Sequence, residues 1–312
     1  MKEIRVSTIT PCFRMKPYLK KFLEELPQQT YFDNLEIVLD HNEPDQEEIR
    51  WVKEFSKKYP GKIKHIIVNP VESIGASMNR CIKEATGDFV TIWNVDDLRT
   101  PLSIESQVKA MLEKKGDIVM GNYSIVRSFG DRTVKKVFDH NNVPTSELVR
   151  SMYLGPFVMF KKTLCKKAGY FDEQLTSGAD FDLSIRLAYN GKVVVADELL
   201  GYYLNEGKGA STRPGSKQLL ERNVICLRYG IFDKLDLQNI PLSVTYSIPT
   251  IVSFGTTYSV STFIDDYSKI INKNKNTIKK SILISSLSLL TGYQPIKNKI
   301  KSYIKNLLYP IK

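Results

Sequence analysis

The chain has 312 residues, of which 42% are hydrophobic and 25% charged, which is the composition of a soluble globular protein. This length suits one large domain with an extension, or two domains. The formal net charge is +11, and residues 267–312 account for +10 of it, because they contain ten lysines, no arginine and no acidic residue. The other 266 residues carry about +1 (11 minus 10). A charge confined to one segment argues against a nucleic-acid-binding protein.

Cysteine and histidine give no sign of a metal centre. The four cysteines have neither metal-like nor paired spacing, so we expect each to be a small buried hydrophobe in a reducing compartment. The three histidines are scattered along the chain. The first residues lack the pattern of a secretory signal peptide, and we expect a cytoplasmic protein.

The first 95 residues alternate predicted strands and predicted helices. Apolar, strand-favouring runs occur four times, at residues 4–10, 35–39, 63–68 and 89–95. Stretches with one apolar helical face lie between them, at residues 18–26, 49–59 and 74–85. Pro11 is expected to end the first strand and Ser73 to cap the third helix. The βαβαβαβ order with short connections predicts an α/β fold with a mostly parallel sheet covered on both faces.

Two adjacent carboxylates, Asp96 and Asp97, directly follow the fourth predicted strand. Thr100 and Pro101 are typical of an N-cap and a first helical position, so the carboxylates would lie between a strand end and a helix start. Ligands of open α/β sheets bind at that edge, where Asp40 would also lie. The pair is typical of a hard divalent metal completed by substrate phosphates, or of an acidic turn before a helix. This stretch alone leaves both interpretations open.

Beyond residue 101 the pattern is less regular. Helices are expected at residues 102–114, 163–168, 178–190 and 219–229. Short strands are expected at residues 117–120, 123–127, 155–160 and 193–195. A glycine-rich loop at residues 205–213 contains two basic residues, Lys208 and Arg213. Such a loop could contact a diphosphate if it closes over a ligand, or could simply be solvated.

The C-terminal region has a different character. Residues 240–264 contain no charged residue, but two prolines and many serines and threonines make a membrane span unconvincing. Within this stretch, residues 242–248 alternate like a strand. Between Ile296 and Leu308 apolar residues form one helical stripe, with lysines lying away from it. This pattern is typical of an interfacial membrane anchor, and equally of a helix packed on the body with its lysines in solvent.

Several motifs, taken in order, resemble the family-2 glycosyltransferases with the GT-A fold, which use nucleotide-sugar donors. The resemblance runs from about Val6 to Gly230. The matching stretches are residues 6–11, 36–40, 74–79, 85–88, 94–96, 169–173 and 180–183, with Arg186. Any one of them is weak, whereas their order and spacing together are fairly specific. Asn94-Val95-Asp96 stands where the family has its Asp-x-Asp metal motif.

The resemblance implies a donor site, a metal and a catalytic base. The implied donor-binding residues are Thr10, Pro11, Asp40, Asn79, Asn94, Asp96, Lys208 and Arg213. Mn²⁺ or Mg²⁺ would be held mainly by Asp96, with Asp97 near, and would neutralise the charge of the diphosphate leaving group. Asp180 stands in the family's base position, although an aspartate there could also cap a helix. Asp182 would support the site or the first turn of its helix.

The chain also departs from the family pattern. Asn94 replaces the usual first aspartate of the metal motif, and an amide oxygen is a weaker, neutral ligand. His41 follows Asp40 where a second aspartate is common, and Ala179 replaces a frequent glutamate. The loop at residues 205–213 lacks the family's basic-aromatic-histidine pattern.

These observations predict an inverting, metal-dependent glycosyltransferase with a Rossmann-like GT-A sheet. It would transfer a sugar from a nucleotide-diphosphate sugar to a hydroxyl of a growing cell-surface polysaccharide or glycolipid, with UDP-sugars favoured by the resemblance alone. The predicted divisions are a catalytic domain at 1–230, with a nucleotide-sugar half at 1–115 and an acceptor half at 116–230, and a basic extension at 231–312. Residues 267–312 would offer contact with an anionic membrane, making the protein peripheral on the cytoplasmic face.

Two alternatives stay open at this point. Asn94 and Ala179 would also suit a nucleotide-sugar-binding protein that has lost turnover. A nucleotidyltransferase on a related fold would need a glycine-rich basic loop after the first strand, and residues 10–16 contain no glycine, which counts against it.

Overall fold

The computed structural model describes residues 3–134, 136–140, 155–207, 215–231, 234–235, 246 and 248–264. Lys208, Arg213 and the amphipathic stripe near the C-terminus lie outside these ranges, as does most of the strand expected at residues 242–248. Among the described residues, no helix combines the length and the apolar character that crossing a bilayer requires.

The first part of the chain forms four parallel strands joined by three helices. The strands are β1 (Val6–Phe13), β2 (Leu35–Asn42), β3 (Ile63–Val68) and β4 (Phe89–Ile92), in the order β3-β2-β1-β4 across the sheet. The helices are α1 (Lys16–Glu25), α2 (Gln46–Lys58) and α3 (Ile74–Glu84). The predicted βαβαβαβ order is confirmed. Ser73 caps α3 as expected, because its hydroxyl accepts the N–H of Ala76 at 3.2 Å.

Pro11 does not end the first strand, so that prediction is wrong. β1 continues to Phe13, with Pro11 opposite Asp40 of β2. On its other side β1 pairs with β4 only from Val6 to Ile9. A strand tolerates proline, which lacks an N–H, where the neighbouring ladder has ended. The end of β1 therefore extends beyond the end of β4.

The second part of the chain extends the same sheet with strands of both orientations. These are β5 (Leu98–Arg99), β6 (Ile118–Val126), β7 (Val137–Phe138), β8 (Met159–Lys161) and β9 (Val193–Leu204). β8 joins β4 in antiparallel orientation, the sheet continues through β6 and β9 to β5, and β7 pairs with β6. The helices are α4 (Ser103–Glu113), α5 (Cys165–Ala168), α6 (Ala179–Asn190) and α7 (Gln218–Tyr229). The α/β prediction is confirmed, with a parallel first part and a mixed second part.

Several boundaries differ from the prediction. The strand expected at residues 193–195 continues to Leu204, and the one expected at residues 155–160 is Met159–Lys161. β4 ends at Ile92, and the two short strands expected between residues 117 and 127 form the single strand β6. Helix α4 begins at Ser103, not at Pro101. Thr100 does not cap this helix, because its hydroxyl donates to the Leu199 carbonyl of β9 at 2.6 Å. Thr100 thus attaches the chain after β5 to β9.

Apolar side chains from alternate strand positions pack into two clusters. In β2, Val38 belongs to one cluster, whereas Ile37 and Leu39 belong to the other. The first cluster also contains Ile248 and Ile251, which lie at the hairpin of β10 (Thr250–Ser253) and β11 (Thr256–Ser259). Part of the region after residue 230 therefore packs with the body. The domain boundary drawn at that residue stays a prediction.

Candidate active site

The turn after β4 is held by a buried carboxylate. Asp97 Oδ2 accepts a hydrogen bond from Asn94 Nδ2 at 3.1 Å, and its Oδ1 accepts the N–H of Leu204 at 3.1 Å. Its carbonyl oxygen accepts the indole N–H of Trp93 at 3.0 Å. Burial and the adjacent charge of Asp96 raise the pKa of Asp97 well above its usual value. Both oxygens of Asp97 therefore help to attach the turn to β9 and to Asn94, and its role as a metal ligand stays a prediction.

Asp96, the other half of the acidic pair, is only half-buried and faces a further carboxylate. Burial raises the pKa of Asp96, and the charge of Glu206 raises it further. Glu206 follows the end of β9 and accepts a hydrogen bond from the Tyr18 hydroxyl at 3.2 Å. Burial and the charges of Glu206 and Asp96 likewise raise the pKa of Tyr18. These three side chains, from α1, the turn after β4 and the loop after β9, form one cluster.

Glu206 is not among the site residues predicted from the sequence. The loop is attached to the turn by the bond from Leu204 to Asp97, which joins positions 107 residues apart, and no local pattern reports such a contact. An acidic residue within a glycine-rich loop that was expected to be basic is the signal that points to it.

The donor atoms near Asp96 fit a hard divalent cation. Carboxylate oxygens are the ligands that Mg²⁺ and Mn²⁺ prefer, and a cation would relieve the repulsion between Asp96 and Glu206. Within the described part of the chain, no three or more His, Cys, Asp or Glu side chains are grouped to hold a metal on their own. A cation here would therefore need further ligands from a substrate. The amide nitrogen of Asn94 is bound to Asp97 and so helps to fix the turn.

A buried arginine, Arg99, contacts the residues that lead into this turn. The Arg99 guanidinium lies over the rings of Trp93 and Phe157, at 5.2 and 5.0 Å from their centroids. Its Nη2 donates to Thr91 Oγ1 at 2.7 Å and to the Ile92 carbonyl at 2.8 Å. Arg99 is thus a rigid connection between the end of β4 and β5, with the acidic turn between them.

The ends of β1 and β2 lie near the same acidic turn. Thr10 is buried and Pro11 is half-buried at the end of β1. Burial raises the pKa of the neighbouring Cys12 thiol, and the charges of nearby Glu48, Asp96 and Asp40 raise it further. Pro11 lies opposite Asp40 in the register of β1 and β2, and Asp96 follows β4 on the other side of β1. The structure therefore brings these predicted donor-site residues to one edge of the sheet, as expected for parallel strands.

Asp40 is buried and paired with a basic residue. Its Oδ2 accepts from Arg80 Nη1 at 2.7 Å, and its Oδ1 accepts from Asn42 Nδ2 at 2.7 Å. Arg80 also pairs with Glu72 and is itself partly exposed. Arg80 is the second residue that the sequence analysis does not identify, although it lies on the predicted helix α3. A ligand that approaches Asp40 would meet a carboxylate already oriented by two donors.

Asn79 has a different setting from the other predicted donor ligands. Its side chain is buried, and its Oδ1 accepts the N–H of Phe171 at 2.8 Å while its Nδ2 donates to the Phe171 carbonyl at 3.0 Å. Its Nδ2 also donates to Glu173 Oε1 at 2.8 Å. These bonds attach α3 to the segment before α6. The predicted contact of Asn79 with the nucleotide stays a prediction.

His41 does not replace an acidic ligand at the sheet edge. It is buried on β2, with Nδ1 3.2 Å from His65 Nε2 and Nε2 3.6 Å from Glu48 Oε1. Burial lowers the pKa of both histidines to about 4. Successive side chains of a strand point to opposite faces, so His41 lies beneath α2 and Asp40 toward α3.

Asp180, the predicted base, lies in the first turn of α6. Its Oδ1 accepts the N–H of Phe181 at 2.8 Å. The side chain is exposed to solvent, yet the protein around it desolvates the carboxyl and raises its pKa to about 6, with a contribution from the charge of Glu221. An accessible carboxyl with such a pKa is suited to accept a proton near neutral pH.

Asp182, two residues after Asp180 on α6, has a structural role. It is buried, and its Oδ2 accepts from Arg186 Nη2 at 2.7 Å while its Oδ1 accepts from Arg228 Nη1 at 2.6 Å and from the Tyr229 hydroxyl at 2.7 Å. Burial alone would raise its pKa, but the two guanidinium groups lower it to about 2. Asp182 therefore stays ionised and connects α6 to α7.

The fold is that of the GT-A glycosyltransferases. The structure of S. aureus TarS 1-349 in complex with UDP-GlcNAc superimposes with a TM-score of 0.62, at 15% identity, over 97% of this chain and 82% of that one. The mannosyltransferase PcManGT from Pyrobaculum calidifontis, in complex with GDP-Man and Mn²⁺, superimposes with a TM-score of 0.50, at 15% identity, over 99% of this chain and 82% of that one.

The sequence family agrees with the fold. The glycosyl transferase family 2 model matches residues 7–168, just over half of the chain, and the chain belongs to that family. The chain is 28% identical over 196 residues to the uncharacterized glycosyltransferase MJ1057 of Methanocaldococcus jannaschii, covering 60% of this chain and 65% of that protein. It is 32% identical over 110 residues to the putative glycosyltransferase EpsE of Bacillus subtilis, covering 35% of this chain and 39% of EpsE. The chain thus spans less than two thirds of both relatives.

A third relative is matched over more of its length. The amylovoran biosynthesis glycosyltransferase AmsB of Erwinia amylovora is 27% identical over 233 residues, which cover 68% of this chain and 76% of AmsB. The resemblance to family-2 glycosyltransferases drawn from the sequence motifs is confirmed.

Proposed function

We propose that this protein is an inverting glycosyltransferase that moves a sugar from a nucleotide-diphosphate sugar to an acceptor hydroxyl. The observation that carries the proposal is that Asp96 and Asp180 have two different environments. Asp96 lies at the ligand-binding edge of the sheet, and the charge of Glu206 contributes to its raised pKa, so a bound cation would stabilise its ionised form. Asp180 is exposed, has a pKa raised to about 6 and has no cation partner among its described contacts. The first environment suits a diphosphate with its metal, and the second suits a general base.

Asp96 would hold the divalent cation, with Asp97 near and fixing the turn. When bound, Mn²⁺ or Mg²⁺ would supply charge neutralisation for the diphosphate leaving group. Asp40, oriented by Arg80 and Asn42, would contact the nucleoside together with Thr10 and Pro11 at the adjacent end of β1. Lys208 and Arg213 are proposed to contact the diphosphate from the loop after β9.

Asp180 would take the proton of the acceptor. The acceptor oxygen forms a bond to the anomeric carbon, the bond from that carbon to the diphosphate oxygen breaks, and the acceptor proton passes to the Asp180 carboxylate. The N–H of Phe181 holds Oδ1 of Asp180, which orients the group for this transfer. Attack from the face opposite the leaving group inverts the anomeric configuration.

The substrates are proposed from the similar proteins. Structures with UDP-GlcNAc and with GDP-Man share the fold, and the family resemblance favours a UDP-sugar. The name of AmsB refers to amylovoran biosynthesis, which supports a saccharide or lipid-linked saccharide acceptor in the building of a cell-surface polymer. The basic segment at residues 267–312 would place the protein peripherally on the anionic cytoplasmic face of a membrane.

The test is a screen of nucleotide sugars with the purified full-length protein. Binding and hydrolysis of UDP-GlcNAc, UDP-glucose and GDP-mannose are measured by calorimetry and product release, with Mn²⁺, with Mg²⁺ and with EDTA. We expect at least one UDP-sugar to bind in a metal-dependent manner and to be slowly hydrolysed. Binding without hydrolysis or transfer to any acceptor would favour a binding protein, and no binding in any arm would contradict the proposal.

A further inference from the structure

A buried glutamate on α7 organises the segment that leads into Asp180. Glu221 has no solvent exposure, and its carboxylate lies against residues 176–178. Its Oε2 accepts the N–H groups of Thr176 at 2.9 Å, Ser177 at 2.7 Å and Gly178 at 2.9 Å. Its Oε1 accepts the Thr176 hydroxyl at 2.7 Å. A single carboxylate thus binds three consecutive backbone amides that end two residues before the proposed base.

The packing at Gly178 leaves this segment little freedom. A Cβ added at Gly178 would lie 2.9 Å from Ile225 Cδ1 and 3.3 Å from Glu221 Cβ, so the backbone is in close contact with α7. The Gly178 carbonyl in turn accepts the N–H of Asp182 at 3.0 Å, the first bond of α6. The start of the helix, and with it the position of Asp180, is therefore defined by α7.

We propose that Glu221 is a positioning residue for Asp180. It fixes the entry to α6, and its negative charge acts on the Asp180 carboxyl. This inference depends on the proposed function of Asp180 for its catalytic meaning, but its physical content can be measured without any substrate.

Of the two buried carboxylates near the start of α6, Asp182 and Glu221, only Glu221 acts on Asp180 with a charge that is not balanced locally. Asp182, on the same helix, is paired with Arg186 of α6 and Arg228 of α7, so its charge is balanced locally. Glu221 binds only neutral donors in the described contacts, three backbone amides, the Thr176 hydroxyl and the Tyr246 hydroxyl at 3.4 Å. Within the described part of the chain, no cationic side chain neutralises its charge. Desolvation is the largest cause of the raised pKa of Asp180, and the charge of Glu221 raises it further.

The test uses full-length Glu221→Gln with a matched control. Glutamine keeps the size of the side chain, and its oxygen can still accept from Ser177 and Gly178, but the negative charge is lost. The control is Glu36→Gln. Glu36 is also buried, and its carboxylate also accepts an amide and a hydroxyl from one threonine, the N–H of Thr86 at 2.8 Å and its Oγ1 at 3.0 Å. Glu36 is not among the groups that act on the Asp180 carboxyl.

Two readouts are taken without substrate. Carbon NMR of aspartate-labelled protein follows the titration of Asp180, assigned by its absence in Asp180→Asn, and hydrogen exchange follows the amides of residues 176–178. We expect Glu221→Gln to lower the titration midpoint of Asp180 and to accelerate exchange of these amides about tenfold or more, as loss of charge-assisted hydrogen bonds predicts. Glu36→Gln should leave both unchanged. If Glu221→Gln does not fold, Thr176→Val is used instead; it removes only the hydroxyl that donates to Glu221 and should give a milder increase in exchange.

An unchanged midpoint and unchanged exchange in the glutamine variant would overturn the inference. Equal changes in Glu36→Gln would overturn it as well, because the effect would then be a general loss of stability. Neither result bears on whether Asp180 is the base, which is decided by the transfer rate of Asp180→Asn.

Discussion

At the scale of single residues, Asp96 is expected to be the principal ligand of the divalent cation. Asp96→Ala should abolish Mn²⁺- or Mg²⁺-dependent nucleotide binding while preserving the fold, because Asp97 and Asn94 still hold the turn. Calorimetry with UDP and Mn²⁺ measures the binding, and circular dichroism verifies the fold. Asp197→Ala, at a highly exposed aspartate paired with Lys114, is the control for loss of one negative charge. If folded Asp96→Ala still binds UDP with undiminished dependence on Mn²⁺, Asp96 is not the principal metal ligand.

Asp180 is expected to set both the rate and the pH dependence of transfer. Asp180→Asn keeps the size of the side chain but cannot accept the proton, so transfer should fall about 10²–10⁴-fold with little change in donor affinity. A base must be ionised, and desolvation raises the pKa of Asp180 to about 6. The wild-type rate should therefore fall as the pH is lowered through about 6 and level off above it. Measured rates of transfer against pH test both statements.

Asp182→Asn is the comparison for this experiment. Asp182 is buried between two guanidinium groups, so its loss should reduce the free energy of unfolding instead of selectively reducing the chemical step. The product of the wild-type enzyme should have the anomeric configuration opposite to that of the donor. Retention of configuration, or near-normal transfer by Asp180→Asn, would reopen the choice of mechanism.

The residues that the sequence identified and those that it missed differ in one physical respect. The strand end before Asp96 and the helix start at Asp180 can be read from local periodicity and turn residues, whereas the predicted role of Asp180 came from the family resemblance. Glu206 and Glu221 gain their roles from contacts that only the folded chain creates, with Tyr18, 188 residues away, and with Thr176, 45 residues away. The prediction that Pro11 ends β1 is wrong because a strand tolerates proline where the pairing with its neighbour has ended, and the sequence does not show where β4 ends.

At the scale of elements, Arg228 is expected to stabilise the contact between α6, α7 and the β10–β11 hairpin. Its guanidinium donates to Asp182 at 2.6 Å, to Asp172 at 2.9 Å and to the Ile248 carbonyl at 2.7 Å. Arg228→Met would leave two buried carboxylates without this partner. The free energy of unfolding should fall by about 3–5 kcal/mol, as for a broken buried ion pair. Chemical denaturation measures the change.

Arg222→Met is the matched control for that experiment, since Arg222 lies on the same helix and is only half-buried. It should change the free energy of unfolding by less than about 1 kcal/mol. Hydrogen exchange should show that the hairpin opens first in Arg228→Met, because Arg228 also donates to the Thr250 carbonyl at 3.0 Å. A loss in Arg228→Met no larger than that of the control would contradict the proposed anchoring.

The elements themselves were largely predictable from the sequence. Parallel strands that are buried on both faces have continuous apolar runs, and β2, which is buried along its whole length, was located from that signal. β3, at the edge of the sheet, is only partly buried. The order of the strands in the second part of the chain was not predictable. β8 inserts next to β4 in antiparallel orientation, and β9 lies between β6 and β5; no local pattern specifies either placement.

At the scale of the whole molecule, the uneven charge of the sequence predicts attachment to an anionic surface. Residues 267–312 carry +10, whereas the other 266 residues carry about +1. Each lysine near an anionic bilayer contributes about 1 kcal/mol, and salt screens this attraction within about 10 Å at 0.1 M ionic strength. The full-length protein should therefore sediment with vesicles containing phosphatidylserine at low salt, and not with neutral phosphatidylcholine vesicles.

Deletion of residues 274–312 should release the protein from the anionic vesicles and leave metal-dependent donor binding unchanged. A second variant separates charge from apolar contact: replacing Lys297, Lys299, Lys301 and Lys305 with glutamine keeps the apolar stripe from Ile296 to Leu308 and removes four charges. If electrostatic attraction dominates, this variant should bind anionic vesicles more weakly and depend less steeply on salt, in proportion to the four of ten charges removed. If the full-length protein does not bind anionic vesicles at low salt, membrane attachment is contradicted, and packing on the body or binding to protein partners is favoured for the basic segment.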